Sequence, residues 1–136
     1  MKYAVIMIPL LFLSSGTAYA EWVEVVTSDD HGGYTTYIDP DTLRRKGNLV
    51  KIWILYDFKA AQDERFHSYI SVKRLNEYDC EDERNRNLAY LKYSGPMGTR
   101  EVVDSYVDSY MYPSNWAPVV PDSVGKVLWR FVCGKQ

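Results

Sequence analysis

Two cysteines are all the chain has: Cys80, inside the acidic stretch "YDCEDERNR", and Cys133, almost at the end. Their chemistry turns on the compartment, because disulfides persist where the surroundings oxidise and free thiols or metal ligands prevail where they reduce. The first twenty residues, "MKYAVIMIPLLFLSSGTAYA", bear on that point. Lys2 is a short positive n-region, residues 4 to 13 an apolar h-region, and Ala18-Tyr19-Ala20 a small-x-small cleavage site. The apolar run is roughly half the ~20 residues a spanning helix needs, and Ser14-Ser15-Gly16 ends it. Residues 1–20 therefore read as a secretory signal peptide and 21–136 as one mature domain. Neither the leader nor Glu21 supplies the cysteine on which a lipoprotein anchor is built. The expected product is exported, periplasmic or extracellular and cell-surface, and not a lipoprotein. Two cysteines in such a chain favour a crosslink.

A mature chain of this length holds one core, burying about two-thirds of its unfolded surface. The formal net charge is −2, and loss of Lys2 makes it one unit more negative. Arg44-Arg45-Lys46 is the only basic run, so nucleic acid is a poor candidate partner. Twelve Tyr and four Trp suit cross-strand and core packing in a small β-rich domain.

Residues 22 to 26 form a short apolar run, ended by the turn "SDDHGG", and 34 to 38 a second strand; together they predict a hairpin. In "DPDTL" Asp39 caps a single helical turn with Pro40 at its first position. Residues 49 to 58 give the strongest strand signal. Val50, Ile52, Ile54, Tyr56 and Phe58 share one face, while Trp53 and Leu55 on the other predict a central strand covered on both sides. Residues 59 to 68 are polar and read as loop. Two strands, 69 to 79 and 84 to 93, flank the acidic turn "EDE". That turn length sets Cys80 opposite Arg84, Tyr78 opposite Arg86, and Arg74 opposite Tyr90. Residues 100 to 106 make a sixth strand. The stretch 112 to 121 carries three prolines and reads as an extended connector, with Trp116 plugging the core. The one helix spans 123 to 133. Val124, Val127, Leu128 and Phe131 form its apolar face, Asp122 or Ser123 caps it, and Gly134 stops it.

Catalytic patterns are missing. His31 lies in a Gly-rich turn and His67 in a polar loop, neither beside a nucleophile, and G-x-S-x-G does not occur. "DDH" at 29 to 31 reads as a solvated turn rather than metal ligands, and Arg44-Arg45-Lys46 as another. No catalytic residue, metal ligand or cofactor is expected. Tyr106, Tyr110 and Tyr112 precede the connector, and clustered exposed tyrosines suit recognition because they give contact area at little entropic cost. A binding module is the favoured class. The alternatives are a periplasmic accessory or envelope protein without a host partner, and a hydrolase whose carboxylates the sequence does not reveal.

The stretches "YIDPDTLRRKGNLVKIWILYDF", "YDCEDERNR" and "WAPVVPDSVGKVLWRFVCG" resemble the surface-adhesin protein E family of Gram-negative bacteria. The resemblance covers most of the mature chain. It implies an α+β fold, a six-stranded antiparallel sheet with the C-terminal helix packed on it and tied by a disulfide. It also implies binding of host extracellular-matrix or serum proteins from the cell surface. Zinc would want four ligands and a reactive thiol a base, and neither is apparent, so Cys80 is expected to bond Cys133. That bond would bring the helix C-terminus beside Arg84 and Arg86, casting both as structural partners of its carbonyls.

Overall fold

A computed structural model describes residues 21–109 and 113–134. The leader, Tyr110 and Tyr112 lie outside the described residues. Eight strands form one antiparallel sheet: β1 (Val23–Ser28), β2 (Tyr34–Ile38), β3 (Arg44–Lys46), β4 (Leu49–Asp63), β5 (Ser68–Asp79), β6 (Arg84–Tyr93), β7 (Val102–Val107) and β8 (Ala117–Pro118). Six make the continuous path β1-β2-β4-β5-β6-β7, while β3 pairs only with β4 and β8 only with β6. One helix, α1 (Val124–Cys133), follows. The α+β reading and the disulfide hold: Cys80 and Cys133 are bonded, with Cα atoms 5.5 Å apart.

Alternation builds the main core. Val50, Ile52 and Ile54 of β4 face α1 together with Ile38 and Tyr78, and Leu128, Trp129, Val132 and Cys133 meet them from the helix. Leu55, on the opposite side of β4, is also fully buried, so this strand is covered on both sides. Ser123 caps α1 by accepting the Lys126 N–H at 3.1 Å, and Gly134 ends it with a left-handed φ of 66°.

The helix is turned relative to the face expected from its sequence. Val127 is 40% and Phe131 54% exposed, while Trp129 and Val132 are buried. Lys126 and Arg130 lie on one side of the segment VGKVLWRFVC and its apolar residues fill a wide arc around Leu128 opposite them, so periodicity fixes the rotation only within that arc. Trp129 and the disulfide settle it. The Trp129 indole N–H donates to the Asp79 carbonyl at 2.9 Å, next to Cys80.

Four other expectations change. Residues 59 to 63 continue β4, with Gln62 opposite Tyr69 and Asp63 opposite Ser68, so only 64 to 67 turn. This hairpin end is largely solvated, and strand there is maintained by backbone pairing without an apolar pattern. Arg44–Lys46 is a short exposed strand against 49 to 51 rather than a turn. The proline-rich connector contributes β8, a two-residue pairing at the sheet margin where Pro is tolerated. The β5–β6 hairpin has a four-residue turn, which pairs Asp79, not Cys80, with Arg84, and Glu77, not Tyr78, with Arg86.

That last difference has a long reach. Arg74 does face Tyr90, because β6 carries one extra residue, Leu88, between the partners of Leu75 and Asn76. A one-residue shift exchanges the faces of a strand. Arg84 and Arg86 therefore stand on the sheet face away from α1, alongside Glu77 and Asp79.

Candidate functional site

The half of the helix-bearing face that α1 leaves free carries a band of aromatic rings. Register places Ile38, Ile54, Arg74, Tyr90 and Tyr106 in one row across the sheet, and Thr36, Tyr56, Val72, Lys92 and Asp104 in the next. Tyr34 lies 6.0 Å from Tyr56 and 5.3 Å from Phe58, and Phe58 meets Tyr69 edge-on at 5.9 Å. Lys92 stands 4.8 Å over Tyr69 and 5.0 Å over Tyr90, and Arg74 4.9 Å over Tyr56. Tyr106 stacks on Tyr90 at 5.7 Å and closes the band on the edge strand β7, where it is 36% exposed. Rings alternating with cations fix one another by packing and cation–π attraction, and most are partly buried.

An ion cluster pins the lower border of this band. Glu64 takes the Lys92 ammonium at 2.6 Å, and the His67 Nε2 lies 2.7 Å from its other oxygen without the alignment of a hydrogen bond. Asp104 lies 3.6 Å from Lys92 and accepts the Tyr90 hydroxyl at 3.2 Å. Glu64, His67 and Asp104 offer three ligand atoms close together, yet the Lys92 ammonium already sits among them. The cluster ties the 64 to 67 turn to β6 and β7. His67 sits here through tertiary contact alone, and its sequence neighbours give no sign of it.

The other end of the sheet holds Arg84, Arg86 and Trp116. Their guanidinium carbons lie 4.6 and 4.4 Å from the centre of the Trp116 ring. Arg84 donates to Asp79 at 3.0 Å, and Arg86 reaches Glu77 at 2.6 Å. These partners are carboxylates and an indole, not helix-end carbonyls. Trp116 packs against the two arginines on the far face and is no part of the helix core. At the other expected cap, Asp39 accepts the Asp41 N–H at 3.2 Å.

Asp79 organises the hairpin turn. Its Oδ1 accepts the N–H groups of Glu81 at 3.0 Å and Asp82 at 3.1 Å. The Asp82 N–H, with Arg84 and the Glu81 N–H, holds the Asp79 carboxyl below the usual range against the opposing effect of burial. Lys92 draws Glu64 in the same direction. A depressed carboxyl stabilises the fold above its unfolded pKa, about 4, and that contribution disappears as pH falls through the folded value. The melting temperature is thus expected to hold between about pH 7 and 5 and to fall below about pH 4. Asp79→Asn keeps the turn acceptor but loses the charge, so circular-dichroism melts of this variant should show a shallower acid slope. An unchanged slope would remove Asp79 from the account.

With this geometry in view, the comparisons with known proteins are decisive on ancestry. The sequence profile of the surface-adhesin protein E family matches residues 22–134. The chain belongs to that family. Two crystal structures of Haemophilus influenzae protein E share the fold at 12% identity. One, from a non-typeable strain, gives a TM-score of 0.58 over 98% of this chain and 86% of that one. The other, crystal form II, gives 0.56 over 73% and 80%. No curated protein matches the sequence. Membership makes this a surface-adhesin-like protein. Among the described residues no helix is long and apolar enough to cross a membrane.

Proposed function

We propose that the exported domain, freed of residues 1–20, is a non-enzymatic module that binds host extracellular-matrix or serum proteins through the aromatic band ending at Tyr106. One observation carries this reading. The band joins partly buried rings of four strands to the exposed Tyr106 on β7, an edge whose Val102 and Val107 are themselves exposed. Broad, rigid tyrosine surfaces give contact area at low entropic cost, and an edge strand offers backbone groups besides. The carboxyls of Asp79 and Glu64 are both displaced downward in proton affinity by hydrogen bonds and ion pairs. That suits permanent anions in a scaffold, whereas a general acid needs the reverse.

Replacing Tyr106, Tyr110 and Tyr112 together by Ser should weaken binding to immobilised laminin or vitronectin by about tenfold or more, as loss of a hot spot does. The melting temperature should move little, since Tyr106 stands at the margin of the sheet. Protease shaving of intact cells supplies the second measurement. No binding across a panel of matrix and serum proteins, together with protection from external protease, would favour a periplasmic accessory role instead.

A further inference from the structure

On the sheet face away from α1, Trp22, Trp53, Leu91 and Tyr93 line an open cavity of about 250 Å³, with Asp39, Thr42 and Lys73 contributing its polar atoms. We propose that this cavity binds a single carboxylate-bearing sugar ring. Lys73 carries the argument. Lys51, Lys92, Lys126, Arg84 and Arg86 each face a carboxylate within ion-pair distance. Lys73 is half-buried and, among the described residues, has no such counter-ion. Its ammonium is held instead 5.1 Å from the Tyr93 ring and 5.8 Å from the Trp22 ring. Ring faces offset part of the cost of desolvating a cation, and a positive charge so placed is complementary to an incoming anion.

The position is also fixed. The turn Pro96–Gly98 packs on the Lys73 stem, and a Cβ at Gly98 would overlap it. Gly98 has a φ of +66°, and the turn is pinned by N–H bonds from Met97 to Asp57 and from Gly98 to Ser71, both 2.8 Å. Lys73 is therefore preorganised, which lowers the entropy lost on binding.

Shape and polarity select the ligand. The volume lies below the ~300–1,000 Å³ of drug-sized sites, so it accommodates one ring and not an extended molecule. Aromatic walls suit the C–H face of a pyranose, Lys73 its carboxylate, and the Asp39 carboxylate, whose Oδ1 takes the Asp41 N–H and which Thr42 braces from the backbone side, a ring hydroxyl at its second oxygen. This site lies on the opposite face from the aromatic band, so its failure leaves the proposed function standing.

The test is an NMR titration read at the indole N–H signals, with glucuronate and N-acetylneuraminate in separate arms against glucose and benzoate. At least one acidic sugar should shift Trp22 and Trp53 saturably, with a Kd of roughly millimolar for so small a ligand, and leave Trp129 unmoved. The arm that responds says whether the ring is a uronate or a sialate. Lys73→Met should weaken that binding about tenfold, the loss of one charge-assisted contact, and bring it near the level of glucose. Lys73→Gln serves if the Met variant does not fold, an unmoved Trp129 signal marking an intact core. No saturable shift with either acidic sugar, equal affinity for glucose, or tighter binding of benzoate would each overturn the proposal.

Discussion

Cys133→Ser is expected to cost about 4 kcal/mol of stability, the entropy released to an unfolded chain whose 53-residue loop is no longer closed. For a domain of this size that lowers the melting temperature by on the order of 15 °C. Cys80→Ser should cost a similar amount, and the double variant little more than either, because both changes remove one bond. Reduction of the wild-type protein under denaturing conditions, followed by blocking of the thiols, should reproduce the loss. The helix should stay docked in all these species, since Leu128, Trp129 and Val132 remain buried against the sheet. Thermal unfolding of the two single variants and the double variant is the measurement. Strictly additive losses, or two free thiols in the denatured and unreduced protein, would contradict the crosslink.

Trp129→Ala is the second large effect, at about 3–5 kcal/mol, the range for emptying a fully buried aromatic site. Trp129 is 3% exposed and fills the contact between α1 and the end of β5. Its indole also donates to the Asp79 carbonyl, so Trp129→Phe, which keeps an aromatic ring in the site, should still cost about 0.5–1.5 kcal/mol for that hydrogen bond. Trp116→Ala should cost less than Trp129→Ala, because it removes a half-buried ring from a solvated face. Denaturant unfolding of the three variants decides between the tryptophans. If Trp116→Ala proves the more damaging, the core has been assigned to the wrong indole. Trp129→Ala combined with Cys133→Ser should be non-additive, since both act on the seam between the helix and residues 79 and 80.

Much of the architecture was legible because it is local. Alternation found β2, the first part of β4 and β6, and turn chemistry found "SDDHGG" and the Asp39-Pro40 turn. Composition and the signal-peptide pattern of the first twenty residues pointed to the crosslink, and two cysteines leave only one way to make it. The polar hairpin end at 59 to 68 was not legible, since strand there rests on pairing with a neighbour and not on side-chain pattern. The ion cluster was hidden for a similar reason: Glu64, His67, Lys92 and Asp104 are drawn from three separate parts of the chain.

The sequence alone determined the six strands of the main path apart from the 59 to 63 end of β4, where the helix starts and stops, and that Cys80 must meet Cys133. These depend on propensity, capping and covalent chemistry carried by neighbouring residues. Tertiary structure decided which way each side chain faces. The four-residue turn after Asp79 and the extra Leu88 in β6 shift the register by one residue at the hairpin end and restore it further along. Arg84 and Arg86 thereby leave the helix side for the far face, while Arg74 and Tyr90 remain opposite each other in the aromatic band. A side-chain period of two makes one residue enough to exchange the faces of a sheet, and no local pattern fixes where that residue is inserted. The rotation of α1 follows the same logic. The apolar arc of the helix is wide, so the anchor points on the sheet, Cys80 and the Asp79 carbonyl, choose the part of it that is buried.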